Sequence, residues 1–404
     1  KCSAPIPRRE NRKTKNKVHA VRRAMHVALW RVMCDMKMIP FKPNIQSIRP
    51  YEPGKPIKEL QREYGIRNVT KLASNENPLG RPSTDVLRAM RKAIREVHLY
   101  PDGSCYYLLE RLAGEIDIPK DQIIFGNGSN EIIELVARGF LSEGDEVISS
   151  EMSFLVYPIL TQVCGGRFKA VPMTKDYRYD LDGILAQITE RTKLVFIVNP
   201  NNPTGTYLTA REMDAFLAKV PPRVIVCFDE AYVDFVEAAD FPRSLSYIRE
   251  GRPNVIVLRT FSKAYGLAGL RVGYAVTSRE MTEYLHKVRQ PFNVNLVAQA
   301  AAVAAIEDKF YLWKTKRLVK TGRKYFYKKF KQLGLEYLPS QANFVLVNVK
   351  RSGSEIFQEL LRSGMIVRAM GAYKLPDWIR VTVGRRSENA QFIRLLKACL
   401  TEKT

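Results

Sequence analysis

The sequence predicts an α/β fold, and three observations support this prediction. From residue 75 onward, short apolar runs that fit strands alternate with stretches of helical periodicity. The strand-like runs are continuously apolar rather than alternating, which indicates a sheet covered by helices on both faces. At 404 residues the chain exceeds one typical hydrophobic core, so two lobes are expected. We therefore predict a large α/β lobe over residues 75–292 and a smaller α+β lobe over residues 293–404.

Each lobe has its own succession of predicted elements. Strands of the large lobe are predicted at residues 122–125, 146–149, 168–171, 194–198, 224–228, 255–258 and 272–276. A helical stretch over residues 294–333 follows and is ended by Gly334. Runs at residues 343–349, 365–368 and 379–383, with helices between them, predict the strands of the smaller lobe. Residues 45–74 are expected to form an arm that joins the smaller lobe.

The amino-acid composition limits the classes of protein to which the chain can belong. Hydrophobic residues make up 46% and charged residues 26% of the chain, which is ordinary for a globular enzyme. No apolar run reaches the length of a transmembrane helix, so no membrane association is expected. The six cysteines show neither a C-x-x-C pair nor histidines at zinc spacing, so we predict no metal site and no disulfide framework. Reduced thiols of this kind are typical of a cytoplasmic protein.

The first 44 residues differ from the rest in charge. They hold twelve Lys or Arg residues against Glu10 and Asp35, and so contribute +10 to the net charge of +24. Three interpretations stay open: a disordered or non-native extension, an Arg-rich targeting peptide, and a nucleic-acid-binding arm. The first is our expectation, and nucleic-acid binding is not favoured.

The segment around Lys263 carries the clearest chemical signal. Lys263 follows the apolar run 255–258, Thr260 and Ser262 lie just before it, and Arg271 follows eight residues later. A desolvated lysine has a lowered pKa and can form an imine with an aldehyde. Hydroxyl groups and an arginine are suited to holding a phosphate. This segment therefore predicts a site for a cofactor that carries both an aldehyde and a phosphate.

A second segment presents an anion-binding turn. The run 122–125 leads into Gly126 and Gly128, and Ser129 and Asn130 then begin a helical pattern. Free backbone N–H groups and the positive end of the helix dipole at such a turn attract a phosphate. An ordinary capped strand-to-helix turn is the alternative.

Two more strand ends carry polar side chains. Asn202 lies in a proline-containing turn after the run 194–198, and Asp229 and Tyr232 follow the run 224–228. A buried carboxylate keeps a pyridine nitrogen protonated, so Asp229 fits that role, and Tyr232 fits a hydrogen bond to a ring hydroxyl. The alternatives are a tight turn for the first segment and a helix cap for Asp229.

Together these segments resemble the pyridoxal-phosphate-dependent aminotransferases of fold type I. More narrowly, the chain is similar to the histidinol-phosphate aminotransferases from about residue 39 to residue 400. The motifs that carry this resemblance are IRPY (48–51), KLASNENP (71–78), NPNNPTG (199–205), DEAY (229–232), TFSKAYGLAGLRVGY (260–274), GMIVR (364–368) and IRVTVG (379–384). The resemblance implies a large, mostly parallel seven-stranded α/β/α domain and a smaller α+β domain.

The resemblance also implies the cofactor, pyridoxal 5'-phosphate, and a role for each matching residue. Lys263 would form the Schiff base and act as general base, and Asp229 would pair with the pyridinium nitrogen. Asn202 and Tyr232 would contact the ring oxygen, and Phe154 would stack on the ring where Tyr is common in the family. The implied phosphate ligands are Ser129, Asn130, Thr260, Ser262 and Arg271. Tyr100 matches a tyrosine that reaches the partner's phosphate site in family homodimers, although an ordinary turn residue is the alternative.

Three residues are implied at the substrate: Tyr51, Arg368 and Arg380. The implied substrates are histidinol phosphate and glutamate with 2-oxoglutarate, which would use one arginine-lined pocket in turn during a ping-pong cycle. An aromatic-amino-acid aminotransferase and a threonine-phosphate decarboxylase are the alternatives within the family. A non-catalytic binding protein is the alternative from another class, and the presence of Lys263, Asp229 and Arg271 argues against it.

Overall fold

The structure is a computed structural model that describes residues 42–50 and 54–401. The expectations for residues 1–41 and for Tyr51 lie outside the described residues. The chain divides into two compact units, residues 1–48 and 49–404. The described part of the first unit contains one short helix, α1 (Pro43–Gln46), which has a proline in its first turn.

The second unit contains the remaining helices and all the strands that the structure describes. The strands are β1 (Thr70–Lys71), β2 (Ile123–Gly126), β3 (Glu146–Ser150), β4 (Arg167–Val171), β5 (Thr192–Val198), β6 (Ile225–Asp229), β7 (Val255–Thr260), β8 (Gly273–Val276), β9 (Tyr337–Leu338), β10 (Phe344–Asn348), β11 (Met365–Ile366), β12 (Arg368–Ala369) and β13 (Trp378–Thr382). The helices are α2 (Ile57–Tyr64), α3 (Thr84–Ala93), α4 (Tyr106–Ile116), α5 (Ser129–Phe140), α6 (Val156–Val163), α7 (Leu181–Ala186), α8 (Ala210–Lys219), α9 (Leu245–Arg249), α10 (Arg279–Val288), α11 (Leu296–Glu307), α12 (Lys309–Gln332), α13 (Gly353–Arg362) and α14 (Arg386–Thr401).

The larger sheet has seven strands in the order β2-β8-β7-β6-β5-β3-β4. Strand β8 runs antiparallel to both of its neighbours, and every other pair in the sheet is parallel. Each of the seven strands overlaps one of the seven predicted runs. The prediction of an α/β fold with a mostly parallel seven-stranded sheet is therefore confirmed.

Both faces of this sheet are buried, as the continuous apolar runs predict. Along β5, Val195 and Ile197 pack into one hydrophobic cluster, whereas Leu194, Phe196 and Val198 pack into another. Because successive side chains of a strand point to opposite faces, the two clusters lie on the two sides of the sheet. A strand covered on both sides needs apolar residues at every position, which explains why no alternation is visible in the sequence.

A smaller antiparallel sheet has the order β12-β13-β10-β9. Its core includes Phe326 and Phe330 of α12 together with Val345 and Val381 of the sheet. Strand β1 pairs in parallel with β11, which links residues 70–71 to this part of the chain. The domain boundaries at residues 75 and 293 stay a prediction.

The prediction of a helical stretch over residues 294–333 is wrong at one point, because this segment forms two helices. Asp308 ends α11 and caps α12, with non-helical backbone angles (φ −82°, ψ 71°). Its side chain accepts a hydrogen bond from the backbone N–H of Tyr311 at 2.8 Å. Aspartate at an N-cap satisfies a backbone donor that an uninterrupted helix would bond internally.

The topology of the larger sheet brings chain segments from all seven strands to one edge. Strands β2, β3, β4, β5, β6 and β7 run in the same direction, so their carboxyl ends lie at the same edge of the sheet. Strand β8 runs in the opposite direction, so its amino end lies there too. Open α/β sheets bind ligands at this edge.

None of the helices in the described ranges is both long and apolar enough to cross a membrane.

Candidate active site

A cavity of about 230 Å³ lies at this edge of the sheet. Twelve of the predicted site residues line it: Ser129, Asn130, Phe154, Asn202, Asp229, Tyr232, Thr260, Ser262, Lys263, Arg271, Arg368 and Arg380. Asn75 and Tyr373 also line it, and neither is among the predicted site residues. Segments that are far apart in sequence thus meet in one cavity.

Lys263 lies in this cavity just beyond the end of β7. Its Nζ donates a hydrogen bond to the backbone oxygen of Ser74 at 3.2 Å and lies 5.7 Å from the centre of the Tyr232 ring. Burial, followed by the positive charge of Arg380, lowers the pKa of Lys263 to about 8. A larger share of the amine is therefore unprotonated near neutral pH than for an exposed lysine, which makes it a better nucleophile and base.

Asp229, the last residue of β6, is held at both carboxylate oxygens. Its Oδ2 accepts a hydrogen bond from the Tyr157 hydroxyl at 2.8 Å, and its Oδ1 accepts one from the backbone N–H of Ala231 at 3.1 Å. The side chain is only 4% exposed, and burial raises the pKa of Asp229. A buried carboxylate in such a place favours a cationic partner.

Tyr157 was not among the predicted site residues. It is the second residue of α6 and lies three positions after Phe154, and this spacing alone does not indicate a contact with Asp229. Its ring lies edge-on to Phe154 and stacks on Phe196.

The glycine turn and Arg271 form a compact anion cradle. Gly128 has a φ of +79°, and a Cβ at this position would lie 2.4 Å from Nη2 of Arg271. A Cβ on Gly273 would lie 2.4 Å from the backbone nitrogen of Ser129, the first residue of α5. Arg271 also donates to the Ser262 hydroxyl at 3.3 Å. Only residues without a Cβ let the guanidinium and the helix N-terminus come this close.

Other polar side chains of the cavity are held in place by hydrogen bonds to one another. Asn75 donates to the Tyr232 hydroxyl at 2.9 Å, and its own carbonyl oxygen accepts from the Thr382 hydroxyl at 3.1 Å. Burial raises the pKa of Tyr232 to about 12, so its phenol stays protonated at neutral pH. Asn202 accepts a hydrogen bond from Arg380. Asn75 lies within the motif of residues 71–78, so the motif predicted the segment but not the contact.

The two arginines of the cavity come from adjacent strands of the smaller sheet. Arg368 of β12 lies opposite Arg380 of β13 in the strand register. Arg380 is 7% exposed, donates to the backbone oxygen of Ala73 at 2.7 Å, and lies 5.1 Å over the Phe344 ring. Two guanidinium groups from facing positions of adjacent strands give their side of the cavity a positive charge that suits carboxylate or phosphate.

Tyr100 lies apart from this cavity. It is 83% exposed and stacks on Phe292, with ring centres 4.8 Å apart. Within a single chain, therefore, the structure does not bring Tyr100 to the other predicted phosphate ligands.

Known proteins resemble the chain in both sequence and structure. The family model for class I and II aminotransferases matches residues 67–396. Histidinol-phosphate aminotransferase of Moorella thermoacetica is 49% identical over 356 residues, which cover 88% of this chain and 92% of that protein. Histidinol-phosphate aminotransferase 1 of Nitrosococcus oceani is 47% identical over 359 residues, which cover 89% and 96% of the two chains.

A solved structure agrees with these sequence matches. The crystal structure of histidinol-phosphate aminotransferase from Sinorhizobium meliloti, in complex with pyridoxal-5'-phosphate, superposes with a TM-score of 0.81 at 31% identity. The match covers 90% of this chain and 96% of that one. The chain therefore belongs to the class I and II aminotransferases of fold type I, and within them to the histidinol-phosphate aminotransferases.

Proposed function

We propose that this chain is a pyridoxal-phosphate-dependent transaminase of histidine biosynthesis. It transfers an amino group between L-glutamate and imidazole-acetol phosphate, which interconverts these with 2-oxoglutarate and histidinol phosphate in a ping-pong cycle. The observation that carries this proposal is the meeting of Lys263, Asp229, Arg368 and Arg380 in one cavity. The names of the relatives support the same reaction and do not favour an aromatic-amino-acid transaminase or a decarboxylase.

The residues of the cavity fit pyridoxal phosphate. The cradle at Gly128 and Gly273 offers backbone N–H groups and Arg271 to a phosphate, with no room for a Cβ. Asp229 offers a buried carboxylate to a protonated ring nitrogen, and Lys263 offers an amine to an aldehyde. When bound, this cofactor supplies an aldehyde that forms imines with amines and a protonated pyridine ring that accepts electron density.

The cofactor-binding residues act in groups. The phosphate would be held by Ser129, Asn130, Thr260, Ser262 and Arg271. Asp229 would keep the ring nitrogen protonated, and Asn202 and Tyr232 would donate hydrogen bonds to the ring oxygen. Phe154 would contribute stacking, and it has no hydroxyl with which to form a hydrogen bond.

Lys263 is the base that moves protons. Burial and Arg380 lower its pKa to about 8, so Nζ can both take up and release a proton near neutral pH. The oxygen of Ser74, 3.2 Å from Nζ, gives the amine a fixed orientation in the cavity.

Arg380 and Arg368 select the substrates. Glutamate has two carboxylates and histidinol phosphate has a phosphate but no carboxylate, so one arginine-lined pocket can bind both in turn. Tyr51, which lies outside the described residues, is proposed to contribute at this end of the pocket.

We further propose a cytoplasmic homodimer in which Tyr100 contributes to the partner subunit's phosphate site. Tyr100 stacks on Phe292, both side chains are exposed, and Val97, Leu99 and Tyr107, which are close to Tyr100 in sequence, are exposed as well. Large apolar side chains left exposed in one segment indicate an interaction surface. Cys105 and Cys227 are buried free thiols, which suits a reducing compartment.

A steady-state assay tests the proposed reaction. The pyridoxal-phosphate-loaded protein is mixed with histidinol phosphate and 2-oxoglutarate, and glutamate formation is measured. We expect glutamate to form at an enzymatic rate, and to form far more slowly when phenylalanine replaces histidinol phosphate. Absence of glutamate with histidinol phosphate would contradict the proposal.

A further inference from the structure

We infer that Tyr157 is a positioning residue for Asp229. It holds the carboxylate proposed to face the cofactor ring in a fixed orientation and favours its ionised form. This inference rests on the proposed function. The Tyr157 hydroxyl donates to Oδ2 of Asp229 at 2.8 Å. Tyr157 is 1% exposed and Asp229 is 4% exposed, so water does not compete for this bond. With Ala231 N–H on the other oxygen, both carboxylate oxygens have a fixed donor, and each keeps a lone pair for a further partner.

The Tyr157 ring is itself held in place. It stacks on Phe196 with ring centres 4.3 Å apart and an angle of 6° between the planes. It also meets Phe154 edge-on, with centres 5.8 Å apart and planes at 89°. Phe154 lines the cavity beside Asp229. One side chain therefore contacts both the aromatic residue proposed for the ring face and the carboxylate proposed for the ring nitrogen.

The hydrogen bond also favours the charged form of Asp229. Burial raises the pKa of this carboxyl group, and the hydroxyl of Tyr157 acts in the opposite direction. A donor to an ionised carboxylate stabilises the charge, and a buried bond of this kind is stronger than an exposed one. Asp229 needs that charge to keep a pyridine nitrogen protonated. Removing the hydroxyl of Tyr157 should therefore make the charged form of Asp229 less stable without removing any contact to the cofactor.

Tyr179 provides a matched control. It is also buried, and its hydroxyl bonds to Ser153 at 2.7 Å and to the backbone N–H of Val198 at 3.1 Å. It makes no hydrogen bond to Asp229 among the described contacts. Tyr179→Phe therefore deletes a buried, bonded hydroxyl near the site without removing a donor from the carboxylate.

The test compares Tyr157→Phe and Tyr179→Phe as holoenzymes. We expect Tyr157→Phe to move the acid limb of the kcat/KM pH profile upward by about one to two pH units, because a donor to a charged group is lost. In the same variant, the pH at which the absorbance of the bound cofactor changes should also differ from that of the wild type. Tyr179→Phe should leave both profiles where they are in the wild type. Equal profiles in the two variants would overturn the inference.

A second measurement separates positioning from simple packing. Pyridoxal-phosphate affinity is measured for Tyr157→Phe in the wild-type background and in the Asp229→Asn background. We expect about a tenfold loss or more in the first and little further loss in the second, because the effect passes through Asp229. The same loss in both backgrounds would overturn the inference.

A third variant covers the case in which Tyr157→Phe fails to fold. Phe196→Leu leaves the hydroxyl in place but removes the ring on which Tyr157 stacks. We expect a smaller upward shift of the acid limb, and no shift would count against the inference. The cofactor absorbance and affinity do not depend on which substrate is used. If the wild-type protein does not react with histidinol phosphate, yet Tyr157→Phe still changes the cofactor absorbance and affinity, the proposed substrate is contradicted and the role of Tyr157 stands.

Discussion

The two ends of the cavity are built in different ways. The end proposed for the cofactor consists of residues at or just beyond the ends of strands in the larger sheet, such as Asp229 at the end of β6 and Lys263 after β7. The end proposed for the substrate consists of side chains within two strands of the smaller sheet, Arg368 and Arg380. The first depends on sheet topology, whereas the second depends on how the smaller sheet meets residues 73–75. Substitutions at the first end should therefore impair cofactor binding, whereas substitutions at the second should impair substrate binding.

Lys263→Ala should have the largest effect, because it removes the only side chain proposed to bond covalently to the cofactor. We expect no transaminase activity and no cofactor fixed to the protein after borohydride reduction. Mass spectrometry of the reduced protein measures the adduct. A full adduct in the variant would show that another amine carries the cofactor.

Arg380→Ala should come next, and it tests the substrate end. We expect kcat/KM to fall by about 100-fold or more for both glutamate and histidinol phosphate, because a buried charge-assisted contact is lost. The cofactor should stay bound, because Lys263 and the proposed phosphate ligands are unchanged. Steady-state kinetics with each substrate measures the effect, and Arg368→Ala provides the comparison on the neighbouring strand. A loss confined to one substrate would show that the pocket is not shared.

Gly128→Ala should weaken cofactor binding by about 10- to 100-fold, since an added methyl group disfavours a φ of +79° and collides with Arg271. Gly251→Ala is the matched control, because Gly251 has a φ of +78° but open space around it. Equilibrium titration with pyridoxal phosphate measures the affinity. An equal loss of affinity in both variants would assign the effect to backbone strain alone.

The smallest effect concerns the stability of the cofactor-free protein. The pKa of Lys263 falls from 10.5 to about 8 on folding, so between these pH values the unfolded chain binds more protons and stability rises with pH. Below pH 8 the folded protein carries the full cost of a buried ammonium. Lys263→Met removes that cost, so we expect a higher Tm than wild type at pH 7 and a shrinking advantage toward pH 10.5. A calorimetric advantage that is constant over this range would contradict the assigned pKa.

The sequence was sufficient to predict the strands of the larger sheet, but not the individual side-chain hydrogen bonds. The seven strands were predictable because a strand buried on both faces needs apolar residues throughout, and residues after those strands then meet at one edge. The break at Asp308 and the roles of Tyr157 and Asn75 were not predictable. Each depends on a side-chain hydrogen bond, and the last two join residues far apart in the chain. For Tyr157 and Asp229 the separation is 72 residues, and no local pattern encodes such a pair.

A single half-reaction tests the central claim most directly. The pyridoxal-phosphate-loaded protein is mixed with histidinol phosphate alone, then in a separate experiment with phenylalanine, and the absorbance of the bound cofactor is followed in a stopped-flow instrument. We expect rapid and complete conversion to the pyridoxamine form with histidinol phosphate, and much slower conversion with phenylalanine. Equal rates with the two amino donors would indicate a broad aromatic transaminase, and no conversion by histidinol phosphate would contradict the account.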